Sequence, residues 1–293
     1  MEGLKVMRTS MRLTVVSMVL FIAGCAMHWQ PQVNVSRDNR PTEKSSQLLA
    51  IADDCFLRAG DLEKLETCEQ AYISVLDANP GDYHALTQLS TISILVGTAY
   101  TRDSMAKTKR FRKAMFYAEQ AMYTNGELRA RVADGETIWE AAGSLTKNEV
   151  EAIFFWVTAL QYEFKEGMSF PKKIVNVRWL QRALSLLERI ETLAPEFGGG
   201  GVEFAKAICY YALPTIYGGA EEKGDRAMQD AVNRGEDWLL PRWGRGKYYY
   251  VITDQPDKSR EDLRWVATRN PQEFKDPYPW RIHFIENSTE LLR

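Results

Sequence analysis

Apolar residues recur at three- and four-residue intervals through this chain, and no stretch alternates apolar with polar positions over a useful length. Leu48, Leu49, Ala52, Cys55, Phe56 and Ala59 form a first helical stripe, broken at Gly60-Asp61. Leu65, Cys68, Tyr72, Val75 and Leu76 form a second, ended by Asn79-Pro80-Gly81. Leu86, Leu89, Ser93, Val96 and Tyr100 make a third, and Phe111, Ala114, Met115, Ala118 and Met122 a fourth, closed by Asn125-Gly126. Thr146-Lys147-Asn148-Glu149 has the pattern of a capping box. It opens a helix through Ile153, Phe154, Trp156, Val157 and Leu160 that is apolar nearly all round and is expected at the centre of the fold. Trp179, Leu180, Ala183, Leu184, Leu187, Ile190 and Leu193 give a further helix ending at Pro195. Ser259-Arg260-Glu261-Asp262 reads as a cap before Leu263, Val266 and Ala267, and a last helix carries Ile282, Ile285 and Leu291. The spacing predicts an all-α domain.

The helix ends resemble one another. Glu69-Gln70-Ala71-Tyr72 leads to Leu76-Asp77-Ala78-Asn79-Pro80, Ala118-Glu119-Gln120-Ala121 to Tyr123-Thr124-Asn125, and Ala183-Leu184-Ser185-Leu186 to Leu193-Ala194-Pro195. An alanine at a close helix crossing, then an apolar turn, then Asn-Pro or Pro, is tetratricopeptide-like. The intervals, about 45 and then about 70 residues instead of 34, make the repeats degenerate. A generic helical bundle is the alternative. Stacked helix pairs leave a concave face suited to a peptide, a protein or a small ligand.

The first 24 residues follow another logic. Lys5, Arg8 and Arg12 precede the apolar run Leu13 to Ile22, and Ile22-Ala23-Gly24-Cys25 follows. A basic region, a short apolar region and small residues at the cut describe a secretory signal. The run is about half the roughly 20 residues needed to cross a bilayer. Ile22-Ala23-Gly24-Cys25 resembles the lipobox of bacterial lipoproteins, so residues 1–24 are expected to be removed and Cys25 acylated, anchoring the chain to a lipid membrane. Ala26 stands where an inner-membrane retention signal places Asp, which favours the outer membrane, facing the periplasm. Residues 25–45 read as a lipidated flexible tether, polar and interrupted by Pro31 and Pro41, and 46–293 as the helical-repeat domain.

Removal of 1–24 takes away three cations and Glu2, moving the formal charge from −2 to −4. That mild acidity gives no support for a nucleic-acid partner. Cys55 and Cys68 flank the turn at Gly60-Asp61, so antiparallel helices bring them near each other, either as a disulfide or as two core thiols. No CxxC or His/Cys cluster indicates metal, and no HExxH, GxSxG, Walker or Rossmann pattern indicates catalysis or a cofactor. His84 and His283 read as partly buried polar residues. The chain is not expected to be an enzyme.

Two segments carry more information. Phe197-Gly198-Gly199-Gly200-Gly201 precedes a helix through Val202, Phe204, Ala205, Ile208 and Tyr211. The glycines permit positive-φ turns and close backbone approach; they form either a compact turn or a helix start whose N–H groups hold a carboxylate or phosphate. Pro214, Tyr217, Gly218 and Gly219 precede a charged helix, followed by Trp243, Tyr248, Tyr249 and Tyr250, an aromatic density that lines a pocket or fills a core.

In order, Leu193-Ala194-Pro195-Glu196-Phe197-Gly198-Gly199-Gly200, Ala207 to Pro214, Tyr217-Gly218-Gly219 with a charged helix, then Tyr248-Tyr249-Tyr250 with Asp254-Gln255 and a closing helix ending Leu291-Leu292, resemble the T-component lipoproteins associated with TRAP transporters. The resemblance is most specific over about 193–293. It implies an acylated periplasmic lipoprotein with a cryptic tetratricopeptide fold, a homo-trimer, and engagement of a periplasmic solute-binding protein. It also implies a channel passing an apolar or carboxylate ligand, with Gly199, Gly200, Pro214, Tyr217, Gly218, Gly219, Tyr248 and Tyr249 as its turns and lining. Arg242, Arg245 and Lys247 stand where smaller residues are expected in that family; they face either a carboxylate ligand or solvent, and solvent is the expectation. The alternative function is a tetratricopeptide lipoprotein scaffold for outer-membrane or envelope assembly.

Overall fold

Polar breaks in the apolar pattern set where the helices begin. In a computed structural model describing residues 26–33 and 41–293, the side chains of Asp61, Asp82, Asp103 and Asn125 each accept a backbone N–H from the first turn that follows. This satisfies donors that an α-helix leaves unpaired. They start α2 (Leu62–Ala78), α3 (Tyr83–Leu95), α4 (Ser104–Met122) and α5 (Gly126–Ala133), behind α1 (Glu43–Phe56) with its Thr42 capping box. Then follow α6 (Ile138–Ala141), α7 (Val150–Tyr162), α8 (Phe170–Asn176), α9 (Arg178–Leu193), α10 (Gly201–Ala212), α11 (Glu221–Arg234), α12 (Leu240–Gly244), α13 (Pro256–Ala267) and α14 (Tyr278–Leu291). Among the described residues no strand occurs, and no helix is long and apolar enough to cross a membrane. The expected signal peptide and Cys25 lie outside the described residues.

Each long helix packs on the next: α1 on α2, α2 on α3, α3 on α4, α4 on α7, α7 on α9, α9 on α10 and α10 on α11. The all-round apolar helix is central, since α7 touches α3, α4, α9 and α10, and its Ile153, Trp156, Val157 and Leu160 are buried. The array then returns on itself. Trp280 of α14 donates its indole N–H to Thr91 Oγ1 of α3 at 2.8 Å, and Tyr278 packs beside Gly60 at the α1–α2 turn. A 189-residue separation is bridged by that one bond, so the helical stack is closed.

Cys55 and Cys68 form a disulfide with Cα atoms 5.6 Å apart. Cys209 is the free cysteine among the described residues, and burial pushes its thiol up to about 12. Cross-linking so short a loop restricts the unfolded chain, so a Cys55→Ala/Cys68→Ala variant should lose about 2–3 kcal/mol by denaturant titration.

Three expectations need correction. Ser259 does not cap a helix: α13 starts at Pro256, and Ser259 Oγ instead donates to the Gly246 carbonyl at 2.7 Å. The Thr146–Glu149 capping box forms, but it opens a 3₁₀ turn before α7. Residues 26–33 are not a free tether. Met27 N–H donates to Asn176 Oδ1 at 2.6 Å, Trp29 Nε1–H donates to Glu119 Oε2 at 2.9 Å, and Gln120 donates to the Gln32 carbonyl. Trp29 also meets Trp139 edge-on at 5.6 Å, next to Trp179 and the stacked guanidinium of Arg182. Polar composition suggested a linker, but one tryptophan and one amide supplied enough contacts to dock it.

Candidate functional site: an apolar cavity inside the helical stack

α3, α7, α10 and α14 turn aromatic and aliphatic side chains toward a common interior, leaving a cavity of about 1070 Å³. Its walls include Ile94, Phe154, Phe155, Thr158, Phe204, Ile208, Tyr248, Trp280 and Phe284. Stacked helices cannot fill the concave side of a curved array with side chains alone, and α14 roofs what they leave. A space this large and this apolar matches the size class of small-molecule sites.

Polar groups in the wall are few and mostly engaged. Gln161 donates to the Ala205 carbonyl at 2.7 Å and to Cys209 Sγ at 3.2 Å. Tyr162 stacks on Phe111 at 5.6 Å, and its phenol and that of Tyr248 are both raised, chiefly by desolvation. Asp276 accepts the backbone N–H groups of Leu239 and Leu240, at 2.7 and 3.3 Å, and burial pushes its carboxyl up to about 6. Lys165 and Lys173 stand at the wall with no ion-pair partner among the described residues. Lys173 Nζ donates to the Lys165 carbonyl at 3.1 Å, and desolvation first, then the Lys165 charge, lowers its pKa.

Three π-helical turns occur among the described residues: Val96–Tyr100 after α3, Glu163–Gly167 after α7 and Arg245–Tyr249 after α12, the second contributing Phe164 and Lys165 and the third Tyr248 to the cavity wall. One extra residue per turn re-aims side chains, and such turns gather at sites. Thr98 Oγ1 donates to Glu166 Oε1 at 3.1 Å, and Lys107 pairs with the same carboxylate. Lys247 lies 4.6 Å from the Trp243 ring and 5.2 Å from that of Tyr248. Desolvation, partly offset by Glu166, pulls Lys247 down to about 8. The expectation that Arg242, Arg245 and Lys247 face solvent therefore fails for two of them. Arg245 is held by buried Asp262 at 2.6 and 2.9 Å, and Lys247 is desolvated. Arg242 stays partly exposed over Trp265.

The residues expected at a channel separate into two groups. Pro214, Tyr217 and Tyr248 line the cavity, as do Gly198 and Gly201 beside the glycine pair. Gly199 and Gly200 lie behind the wall with φ of 51° and 83°. A Cβ on Gly199 would stand 2.1 Å from Trp238 Nε1, and one on Gly200 2.1 Å from the Ala231 carbonyl oxygen. Gly218 is a positive-φ turn (97°), and a Cβ on Gly219 would stand 1.7 Å from the Leu213 carbonyl oxygen. Tyr249 donates to Asp225 Oδ1 at 2.8 Å on the outer side of α11. The glycine run is thus a compact turn between packed helices. Gly200→Ala should cost about 3 kcal/mol, from left-handed strain plus overpacking against α11, read as a lowered denaturation midpoint. Sequence reading missed Phe154, Phe155, Phe204 and Trp280 as cavity lining, because facing a core and facing a hollow give the same apolar pattern.

No family model and no curated protein matches this chain. A solved structure does: a thermophilic tetratricopeptide repeat protein of Thermus thermophilus, with a TM-score of 0.52 and 14% identity, over 85% of this chain and 98% of that one. At that identity the likeness concerns the fold, and with the helix order above it makes this chain an all-α, tetratricopeptide-like helical repeat.

Proposed function

We propose that this chain is a non-enzymatic, lipid-anchored periplasmic protein that holds an apolar, carboxylate-bearing small molecule in its closed helical stack. Its partner in this reading is a periplasmic solute-binding protein of a TRAP-type uptake system, with which it exchanges that molecule. The observation that carries the reading is the cavity itself: about 1070 Å³, walled by aromatic rings, with Lys165 and Lys173 free of ion pairs at its wall among the described residues. An aliphatic or aromatic body would occupy the apolar interior, and a carboxylate would pair with a lysine already partly stripped of water, where a charge pair is stronger than in bulk solvent. The sequence motif at 22–25 supports the anchor, and the Cys55–Cys68 disulfide supports an oxidising compartment.

The test is recovery of partners with a tagged, natively processed chain from its own envelope. Co-purification of a periplasmic solute-binding protein is the expected result. Recovery of a membrane barrel or another envelope lipoprotein, with no solute-binding protein, would replace this reading with the envelope-assembly scaffold.

A further inference from the structure

α8 borders two different spaces. Phe170, Lys173 and Ile174 line the large cavity, whereas Lys172 and Asn176 line a second pocket of about 650 Å³. The two spaces share no lining residue. The N-terminal strap forms one wall of the second pocket, through Met27 and Trp29, and α4, α7 and the start of α9 supply others. Its apolar lining is mostly aromatic: Trp29, Phe116, Trp156 and Trp179, with the Trp156 and Trp179 rings 6.4 Å apart. Rings of this kind offer a large, rigid surface to an apolar body.

The charged lining residues are Glu119, Glu163, Arg112 and Lys172. Both oxygens of Glu119 are engaged. Its Oε2 accepts the Trp29 Nε1–H at 2.9 Å, and its Oε1 accepts the Tyr123 hydroxyl at 2.6 Å. Glu163 differs. Its Oε1 accepts from Arg112 Nε and Nη2, both at 3.0 Å, while its Oε2 has no hydrogen-bond partner among the described residues. The Glu163 side chain is only 1% exposed. A buried carboxylate oxygen is normally satisfied, and leaving one bare is costly. Desolvation raises the Glu163 carboxyl, opposed by the Arg112 guanidinium and then by the Lys172 charge. Lys172 is exposed, and its ammonium has no hydrogen bond or ion pair among the described residues.

An acceptor short of a donor, beside a cation short of an acceptor, complements a molecule that carries both charges. A lone ammonium would meet Arg112 and Lys172 as like charges, and a lone carboxylate would meet Glu163. We propose that this pocket is a second ligand site, for a zwitterion of the α-amino-acid class with an apolar side chain. The ammonium donates to the Glu163 carboxylate, the carboxylate accepts from Lys172 and Arg112, and the side chain lies among Trp29, Trp156 and Trp179. Charge-assisted hydrogen bonds hold the head group, and ring surface holds the body. The proposal does not depend on what fills the large cavity.

Calorimetric titration of the natively processed full chain tests this, with L-phenylalanine as probe. Phenethylamine and 3-phenylpropanoate, which keep its ring and one charge each, are the comparison. Thr158→Trp/Ile208→Trp, which fills the large cavity, is the background for all three, so that a carboxylate cannot bind there. L-phenylalanine should bind at one site in both the natural chain and this background, and each single-charge analogue about 10-fold or more weaker. Glu163→Gln should weaken L-phenylalanine by about 10- to 100-fold, the range for losing a hydrogen bond to a charged group. Because Glu163→Gln also disturbs Arg112, Lys172→Ala is the companion variant. It changes an exposed side chain, and it should weaken L-phenylalanine by about 10-fold while leaving phenethylamine no weaker. Binding that disappears in the filled background places the amino acid in the large cavity and overturns the second site. Affinity unchanged in both Glu163→Gln and Lys172→Ala, or phenethylamine bound as tightly as L-phenylalanine, overturns the zwitterion. No binding of L-phenylalanine, L-leucine or L-methionine makes the pocket a solvent-filled gap and also overturns the proposal.

Discussion

Trp280→Ala is expected to lower the stability of the protein by about 3–5 kcal/mol, the range for truncating a large packed aromatic. Trp280 sits where the two ends of the helical stack meet. Its ring packs on Phe284 at 5.5 Å and His283 at 6.0 Å, and its N–H bonds Thr91. It also contacts the apolar clusters on both sides of that junction, around Leu95 of α3 and around Trp243 and Val266. Removing it opens a void where the roof of the cavity joins its wall. Trp280→Phe keeps most of the apolar contact and loses the hydrogen bond, so its loss should be nearer 1 kcal/mol. Urea titration of the three proteins measures both steps, and limited proteolysis should cut Trp280→Ala first in the α13–α14 segment. Equal, small losses in the two variants would mean that α14 does not close the stack.

His283→Gln should remove a stability loss that the natural protein suffers in acid. His283 is buried among Trp243, Trp280 and Phe284, and desolvation, with the nearby Lys247 charge adding to it, depresses its pKa to about 3. The folded state therefore keeps the ring neutral while the unfolded chain takes up a proton near pH 6.5. Its contribution is fully present above about 6.5 and declines as pH falls toward 3, by about 1.4 kcal/mol per pH unit. Asp276 works in the opposite sense. Its folded pKa is raised to about 6 from 3.8, so its contribution is present below 3.8 and lost as pH rises through 6. The net profile of the natural protein mixes the two, and the difference between it and His283→Gln isolates the histidine. That difference should grow steadily from pH 6.5 to pH 4; a flat difference would contradict a buried neutral imidazole. Since His283 lies on α14, acid is expected to weaken the same junction that Trp280 secures.

Helices were legible in the sequence wherever a stripe ended in a polar cap. Asp61 and Asn125 both break the apolar period and accept the first-turn N–H groups, so pattern and structure agree there. The central place of α7 followed from its lack of a polar face, because a helix apolar all round has to be covered all round. Short elements escaped. α6 has four residues and α12 five, less than two turns each, so no period develops in them. Ser259 mimicked a cap because Ser, Asp and Glu in sequence look alike whether they face a helix end or, as here, a neighbouring carbonyl and arginine.

The cavity was harder to read than the helices. Tyr248 was picked out by aromatic density, and it is at the wall; Tyr249, its neighbour, turns about 100° around the helix and bonds Asp225 outside. Gly199 and Gly200 were noticed for their backbone freedom, and that freedom serves packing against Trp238 and Ala231, one layer behind the wall. The π turns, which set how Thr98, Glu166 and Lys247 face one another, have no sequence signature comparable to a cap. Nor did the strap, whose docking depends on Glu119 and Asn176, far along the chain.

Extraction of the purified, natively processed protein with organic solvent, followed by mass spectrometry, measures directly whether the interior is a ligand site. Thr158→Trp/Ile208→Trp, which places two indoles in the space between α7 and α10, supplies the control. The natural protein should release an apolar, carboxylate-bearing molecule in near-stoichiometric amount, and the blocked variant, folded by circular dichroism, should release little. An empty natural protein that also fails to take up added long-chain carboxylates, or a variant carrying as much as the natural one, would contradict the account.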